Sequence, residues 1–264
     1  MAEDLVRKDA RDDPPPARES SDTPYQSRFQ LLFGVLLGVG LAAVVATVIV
    51  LAGGRSNQDQ AAISWAPWRP TSSDGLAAVN QIAQHVGQRY TLPSGHELVA
   101  VRGGALELAR LPVTIAVQQG SNYQVIDSRG VLFNLCGLGP NCSIKEGKPS
   151  VARHLVLRRE ALELALYTFR YIKNVEQVVV ILPPKLGDKP NQAMFFRRGD
   201  SNVGASLDRP LAATLPGPPP VPPGVSLAQQ DFLNRLTANN LFAFTPQEGG
   251  DAHIYLVLTP LASK

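Results

Sequence analysis

Residues 29–52 form a run of 24 residues without one Asp, Glu, Lys, Arg or His, and Gln30 is its main polar exception. At 1.5 Å per residue, a helix of that length spans a hydrocarbon core of about 30 Å with some tilt. A helix inside a globular core rarely stays apolar on every side for so long. A cleaved signal peptide is the competing explanation, but its apolar region runs about 7–15 residues after a short basic start. Here the run is longer, follows 28 polar residues and ends in Ala52-Gly53-Gly54, a poor cleavage site. The pattern predicts one retained transmembrane helix over 29–52, in contact with the lipid bilayer.

Its flanks bear on orientation. Arg11, Arg18 and Arg28 precede the run and Arg55 and Arg69 follow it, so basic residues weigh slightly toward a cytoplasmic N-terminus. Gly34, Gly38, Ala42 and Ala46 recur every fourth residue, which lines small side chains along one face where two helices can approach closely. Small residues are also common in membrane helices generally. The stripe makes self-association of the transmembrane helix, or docking on a partner helix, an expectation.

Residues 1–28 hold five Lys/Arg against seven Asp/Glu, contain Pro14-Pro15-Pro16 and lack apolar periodicity. They are expected to be a disordered cytoplasmic tail. The remaining 20 basic and 15 acidic side chains all follow the run. That balance is mild and its signs are interspersed, with no dense basic stripe, so nucleic acid is not an expected partner. Arginine outnumbers lysine 18 to 7, a bias associated with GC-rich bacterial genomes.

Residues 53–71 read as a juxtamembrane linker, and 72–264 as an extracytoplasmic mixed domain of one body or two lobes. The fold class expected is α+β, with mostly antiparallel strands and about three helices. Asp74 can cap a helix with Leu76, Val79, Ile82, Ala83 and Val86 on one face. Strands are expected around Leu98–Val101, Val113–Val117, Tyr123–Ile126 and Val131–Leu135. The last two are joined by an Asp127–Gly130 turn, which reads as an antiparallel meander. A long helix follows over Val151–Asn174, with Arg159 and Glu163 spaced as a surface ion pair. Val178–Leu182 is apolar at consecutive positions and requires cover on both faces, with Ala193–Arg197 as its next strand. The proline-rich connector 215–224 leads to Ser226 and Gln229, a capping-box pair opening a helix through Asn240. His253–Leu258 closes the chain as a strand. Trp65 and Trp68 are read as packing on the domain rather than sitting at the bilayer surface.

Chemistry is sparse. Cys136 and Cys142 are the only cysteines, separated by a turn-forming Gly-Leu-Gly-Pro-Asn, and outside the cytoplasm such a pair is most simply a disulfide. It lacks the Cys-x-x-Cys spacing of redox centres, and His154 is its nearest histidine in sequence. The Gly147-Lys148 dipeptide fails the phosphate-loop pattern, since Cys142 and Pro149 occupy required Gly and Ser/Thr positions. His85, His96, His154 and His253 have no metal-ligand spacing, and Glu160 and Glu163 read as an ordinary solvated helix face. No catalytic residue, cofactor-binding residue or metal ligand is assigned. The expectation is a membrane-anchored, non-enzymatic cell-envelope protein whose outer domain binds an envelope protein or polymer. A ligand-sensing module and an envelope-acting hydrolase are the alternatives. For the helix stripe, replacing Gly34 and Gly38 by Leu is expected to weaken cross-linking between copies in membranes, and unchanged cross-linking would refute it.

Overall fold

The computed structural model describes residues 64–72, 75–108, 111–249 and 253–261. The tail, the apolar run with its Gly34/Gly38/Ala42/Ala46 stripe, most of the linker and Asp74 lie outside the described residues. Among the described residues no helix is long and apolar enough to cross a membrane. Contacts divide the chain into Met1–Ala62 and Ile63–Lys264, and the described residues all belong to the second unit.

The unit is α+β with a mixed sheet. Helix α1 (Gly75–Gly87) buries Ala78, Val79, Ile82, Ala83 and Val86, whereas Leu76, expected on that face, is exposed. Strands β1 (Ala100–Ala105), β2 (Glu107–Leu108), β3 (Leu111–Gln119), β4 (Asn122–Ile126) and β5 (Gly130–Cys136) follow. The long helix α2 (Val151–Tyr171) leads to β6 (Gln177–Ile181) and β7 (Gln192–Arg197). Helices α3 (Ser201–Leu207), α4 (Leu211–Thr214) and α5 (Leu227–Thr237) precede β8 (Leu241–Glu248) and β9 (Ile254–Pro260). Five α-helices are thus described rather than about three. The added two are α3 and α4, about two turns and one turn long, too short to leave an amphipathic period in sequence.

Strand pairing departs from a meander. β4 pairs with β3, while β5 pairs antiparallel with β1 and parallel with β6, so β4 and β5 are not partners. The β5–α2–β6 unit is a parallel crossover, and β3 lies parallel to β9; the other six pairings are antiparallel. The strand order is β1-β5-β6-β7-β8-β9-β3-β2. Its two ends are neighbours in the chain, separated by Leu106 alone. One bent strand therefore pairs with β5 through its first half and with β3 through its second, which closes the sheet into a barrel. Leu106 is buried at this bend, and its carbonyl accepts a 3.0 Å bond from the Val113 amide.

Closure creates two cores. Inside lie Val113, Ile115, Val179, Ala193, Phe195, Phe242, Ile254, Leu256 and Leu258. Outside, on one flank, Phe133, Leu135, Val178, Val180, Met194 and Phe196 meet α1 and α2. β6 lies between the two, and all five of its residues are buried. Helix α1 comes down close to β1 at Gly103, where a Cβ would stand 2.5 Å from Val79 Cγ1 and 2.6 Å from the Phe133 ring. Only hydrogen fits there.

Seventeen of the 21 residues of α2 are buried. Ser150 caps its start by accepting from the Arg153 amide at 3.1 Å. At its end, the Arg198 guanidinium donates to the carbonyls of Phe169 (2.7 Å), Ile172 (2.8 Å) and Val175 (3.0 Å). Those bonds satisfy the orphan acceptors of a helix terminus. Trp65 packs edge-on to Tyr167 and Tyr171 and donates from its indole to the Ser206 carbonyl, while Trp68 stacks 4.0 Å from His85. Both tryptophans thus belong to the packing of this unit. The proline run returns to α2 through a 3.0 Å bond from Arg159 to the Gly217 carbonyl. It ends in the capping box of α5, with reciprocal Ser226–Gln229 bonds.

Candidate functional site

Four places in the unit have features of a site. The first is polar and buried. Arg159 and Glu163 are 2% and 1% exposed, not a surface pair. Arg159 donates to the Tyr90 hydroxyl at 3.1 Å; that hydroxyl donates to Glu163 Oε2 at 2.7 Å; and Arg89 ion-pairs with Glu163 Oε1. The segment after α1 and the proline run cover this side of α2, so the face that periodicity assigns to solvent is inside. Burial, and then the Glu163 charge, push the Tyr90 hydroxyl well above its usual range.

Glu160, one turn from Glu163, is fully buried, and neither carboxyl oxygen has a hydrogen-bond partner among the described residues. Burial first, then the Glu163 and Glu97 carboxylates, hold its pKa well above the usual carboxylate range. Burial thus favours its protonated form. A buried acid of this kind marks catalytic sites when it faces a cleft. Neither glutamate lines any of the three clefts described for this unit.

The second place is a cleft of about 500 Å³ where β6 ends and α2 begins, with Ser150, Arg153, His154, Leu182, Pro184 and Lys185 among its walls. Crevices at strand ends beside a helix start are common ligand sites. Burial and the Arg158 charge lower the His154 pKa to about 4, so its imidazole is neutral. No nucleophile is hydrogen-bonded to it. Nearby, Cys136 and Cys142 sit at disulfide distance, their Cα atoms 4.3 Å apart. Gly137 and Gly139 in this loop pack against the Ser143 backbone, where a Cβ at Gly137 would lie 2.4 Å from the Ser143 carbonyl oxygen. The glycines serve a tight turn. Of the other histidines, His85 is held under Trp68, and His96 meets the Glu146 carboxylate at 3.0 Å on an exposed surface. Among the described residues no three His, Cys, Asp or Glu side chains are grouped to hold a metal ion.

The third place is one mouth of the barrel, a cleft of about 390 Å³. Val117, Ile126, Phe195 and Phe242 form its floor, and Gln119, Gln124, Arg197, Asp200, Asn202, Arg235 and Asn239 its rim. Arg197 is tied to Asp200 at 3.1 Å, and Gln119 to Gln124 at 2.7 Å. An apolar floor under a polar rim is the usual construction of a small-ligand pocket.

The fourth place is the outer face of the barrel away from the helices. Residues paired across strands point the same way, so the registers place on one face Tyr123 and Val125 of β4, and Thr114, Ala116 and Gln118 of β3. Tyr255, Val257 and Thr259 of β9 and Ala243, Thr245 and Gln247 of β8 continue it. The 2.8 Å bond from Thr259 to Gln118 fits that placement. None of these eleven residues is charged. Tyr123 and Val125 are each 56% exposed. Surfaces that only meet water normally intersperse both signs of charge, and an exposed apolar patch without them marks contact with something else.

Comparison with protein-family models, curated proteins and solved structures finds no match. The geometry therefore stands alone. The proximity of the two cysteines was legible in sequence. The uncharged face was not, because its residues come from four strands and share only a tertiary surface.

The buried acid has a pH signature. A carboxyl whose folded pKa is raised contributes its full stability below the unfolded value near 4.5, and loses it as pH climbs toward the folded value. Glu160→Gln is expected to raise the melting temperature relative to the native chain at about pH 8 and change it little at about pH 4. Equal shifts at both pH values in thermal melts would contradict this assignment.

Proposed function

We propose that this chain is a single-pass membrane-anchored envelope protein whose extracytoplasmic unit binds an envelope partner and performs no catalysis. The observation that carries the reading is the uncharged face of β4, β3, β9 and β8, with Tyr123 and Val125 standing exposed on it. Such a face gains from losing water to a partner without stripping hydration from fixed charges. The anchor half of the reading is supported by the 24-residue apolar run. The placement outside the cytoplasm is supported by Cys136 and Cys142, which sit where an oxidising compartment joins them. The ligand-sensing alternative is favoured by the barrel mouth, with its apolar floor and amide-rich rim.

Two measurements test this. Peptide mapping of the native protein without reductant is expected to recover a linked 136–142 pair, and two alkylatable thiols would remove the support for an extracytoplasmic unit. A photo-cross-linking residue at Val257, on the uncharged face, is expected to capture one identifiable envelope component in cells. The same residue at Leu227, 79% exposed on α5, is expected not to. Equal capture at both positions, or degradation of envelope polymer by the purified chain, would overturn the reading.

A further inference from the structure

β4 pairs with a described strand on one side only. β3 gives one edge to β9 and divides the other between β2, which closes the barrel, and β4, which leaves it. Beyond β3, β4 pairs with no other described strand, and four of its five residues are exposed.

The backbone direction along β4 follows from its turn. Gly120 and Ser121 form a two-residue connection, with Gly120 at φ +62°, between the paired Gln119 and Asn122. In such a hairpin the residues flanking the turn exchange both hydrogen bonds, and bonded pairs then alternate. Asn122, Gln124 and Ile126 therefore direct their amides and carbonyls to β3. Tyr123 and Val125 direct theirs outward. These two residues combine free backbone groups with the exposed side chains.

Exposed edges are ordinarily blunted by a lysine, a proline, a bulge or an inward-facing charge. Asn122–Ile126 has none of these. It is also complementary to itself. Antiparallel pairing of two copies about Gln124 sets Tyr123 against Val125 of the second copy, and Val125 against its Tyr123. These are the bonded positions, giving about four backbone hydrogen bonds and two aromatic–β-branched side-chain pairs. Asp127, the first charge after the strand, then falls opposite Ser121, so no like charges meet.

We propose that β4 is a homodimerisation edge. Two copies pair antiparallel across a two-fold axis at Gln124 and join their uncharged faces into one surface. The proposal rests on the same uncharged region as the proposed function but uses its edge, so the two fail separately.

The register supplies the test. Gln124 faces itself as a non-bonded pair, with Cα atoms about 4.5 Å apart, a spacing that accepts a disulfide. In the full chain in membranes, mild oxidation of Gln124→Cys is expected to link two copies about tenfold more efficiently than Asn122→Cys, which faces Ile126 instead. Adding Val125→Pro removes an outward amide that β3 does not use, so it is expected to abolish the link while the hairpin survives. Sedimentation of the full chain with Val125→Pro alone, expected to shift toward the monomer, gives a reading independent of the cysteine. Absence of the 124–124 link, equal linking at Asn122, or no effect of Val125→Pro in either assay would overturn the proposal. Binding of the edge by the chain's own residues before Trp65 would produce the first of these. Loss of capture at Val257 with the 124–124 link intact would instead refute the proposed function.

Discussion

The bend at Leu106 governs the rest of the structure. β1 and β2 stand at opposite ends of the strand order yet adjoin in sequence, so the sheet must curl until its ends meet. A closed sheet has an inside that only side chains can fill, and Phe195, Phe242, Ile115, Leu256 and Leu258 fill it. Closure also removes sheet edges, which otherwise template association. β4 leaves the barrel along the half of β3 that β2 does not reach, and one of its edges pairs with no described strand.

The helix layer follows a different logic. α2 crosses between parallel strands and is covered by α1, α5 and the proline run, which bury Arg153, Arg158, Arg159, Glu160 and Glu163. Each of these three arginines is answered by oxygen atoms. Arg158 donates to Thr237 Oγ1 at 2.9 Å and to Asn234 Oδ1 at 3.1 Å, tying α2 to α5, and Arg159 reaches Tyr90 and the Gly217 carbonyl. Burial lowers the Arg158 pKa to about 10, which leaves it charged at neutral pH. Removing one partner from such buried pairs typically costs about 3–5 kcal/mol, because the other charge is stranded. Glu160 has no such partner among the described residues, and burial favours its protonated form.

These two halves give the molecule distinct surfaces. The helical flank is rigidly specified by polar bonds that reach across the fold. The opposite flank presents Thr, Gln, Tyr and Val, which neither bind one another strongly nor repel an approaching neutral surface. Its chemistry suits contact, whereas the buried charges among the described residues all belong to α2. The proposed partner binding accordingly falls on the sheet.

Local signals in the sequence were sufficient wherever a structure is decided by near neighbours. The capping box at Ser226, the burial of Val178, Val179, Val180 and Ile181 and the proximity of Cys136 to Cys142 all follow from spacings of a few residues. The proposed anchor rests on the length and uniform apolarity of residues 29–52, which lie outside the described residues. Strand partners do not follow from such spacings, because Asp127–Gly130 looks like any hairpin turn until β1 and β6 arrive to claim β5. Nor does periodicity reveal what covers a helix: Arg159 and Glu163 occupy the polar stripe of α2, and residues distant in sequence seal that stripe from water. The tertiary fold alone set eleven uncharged residues of four strands on one face, since that surface exists only after the chain has bent at Leu106 and closed.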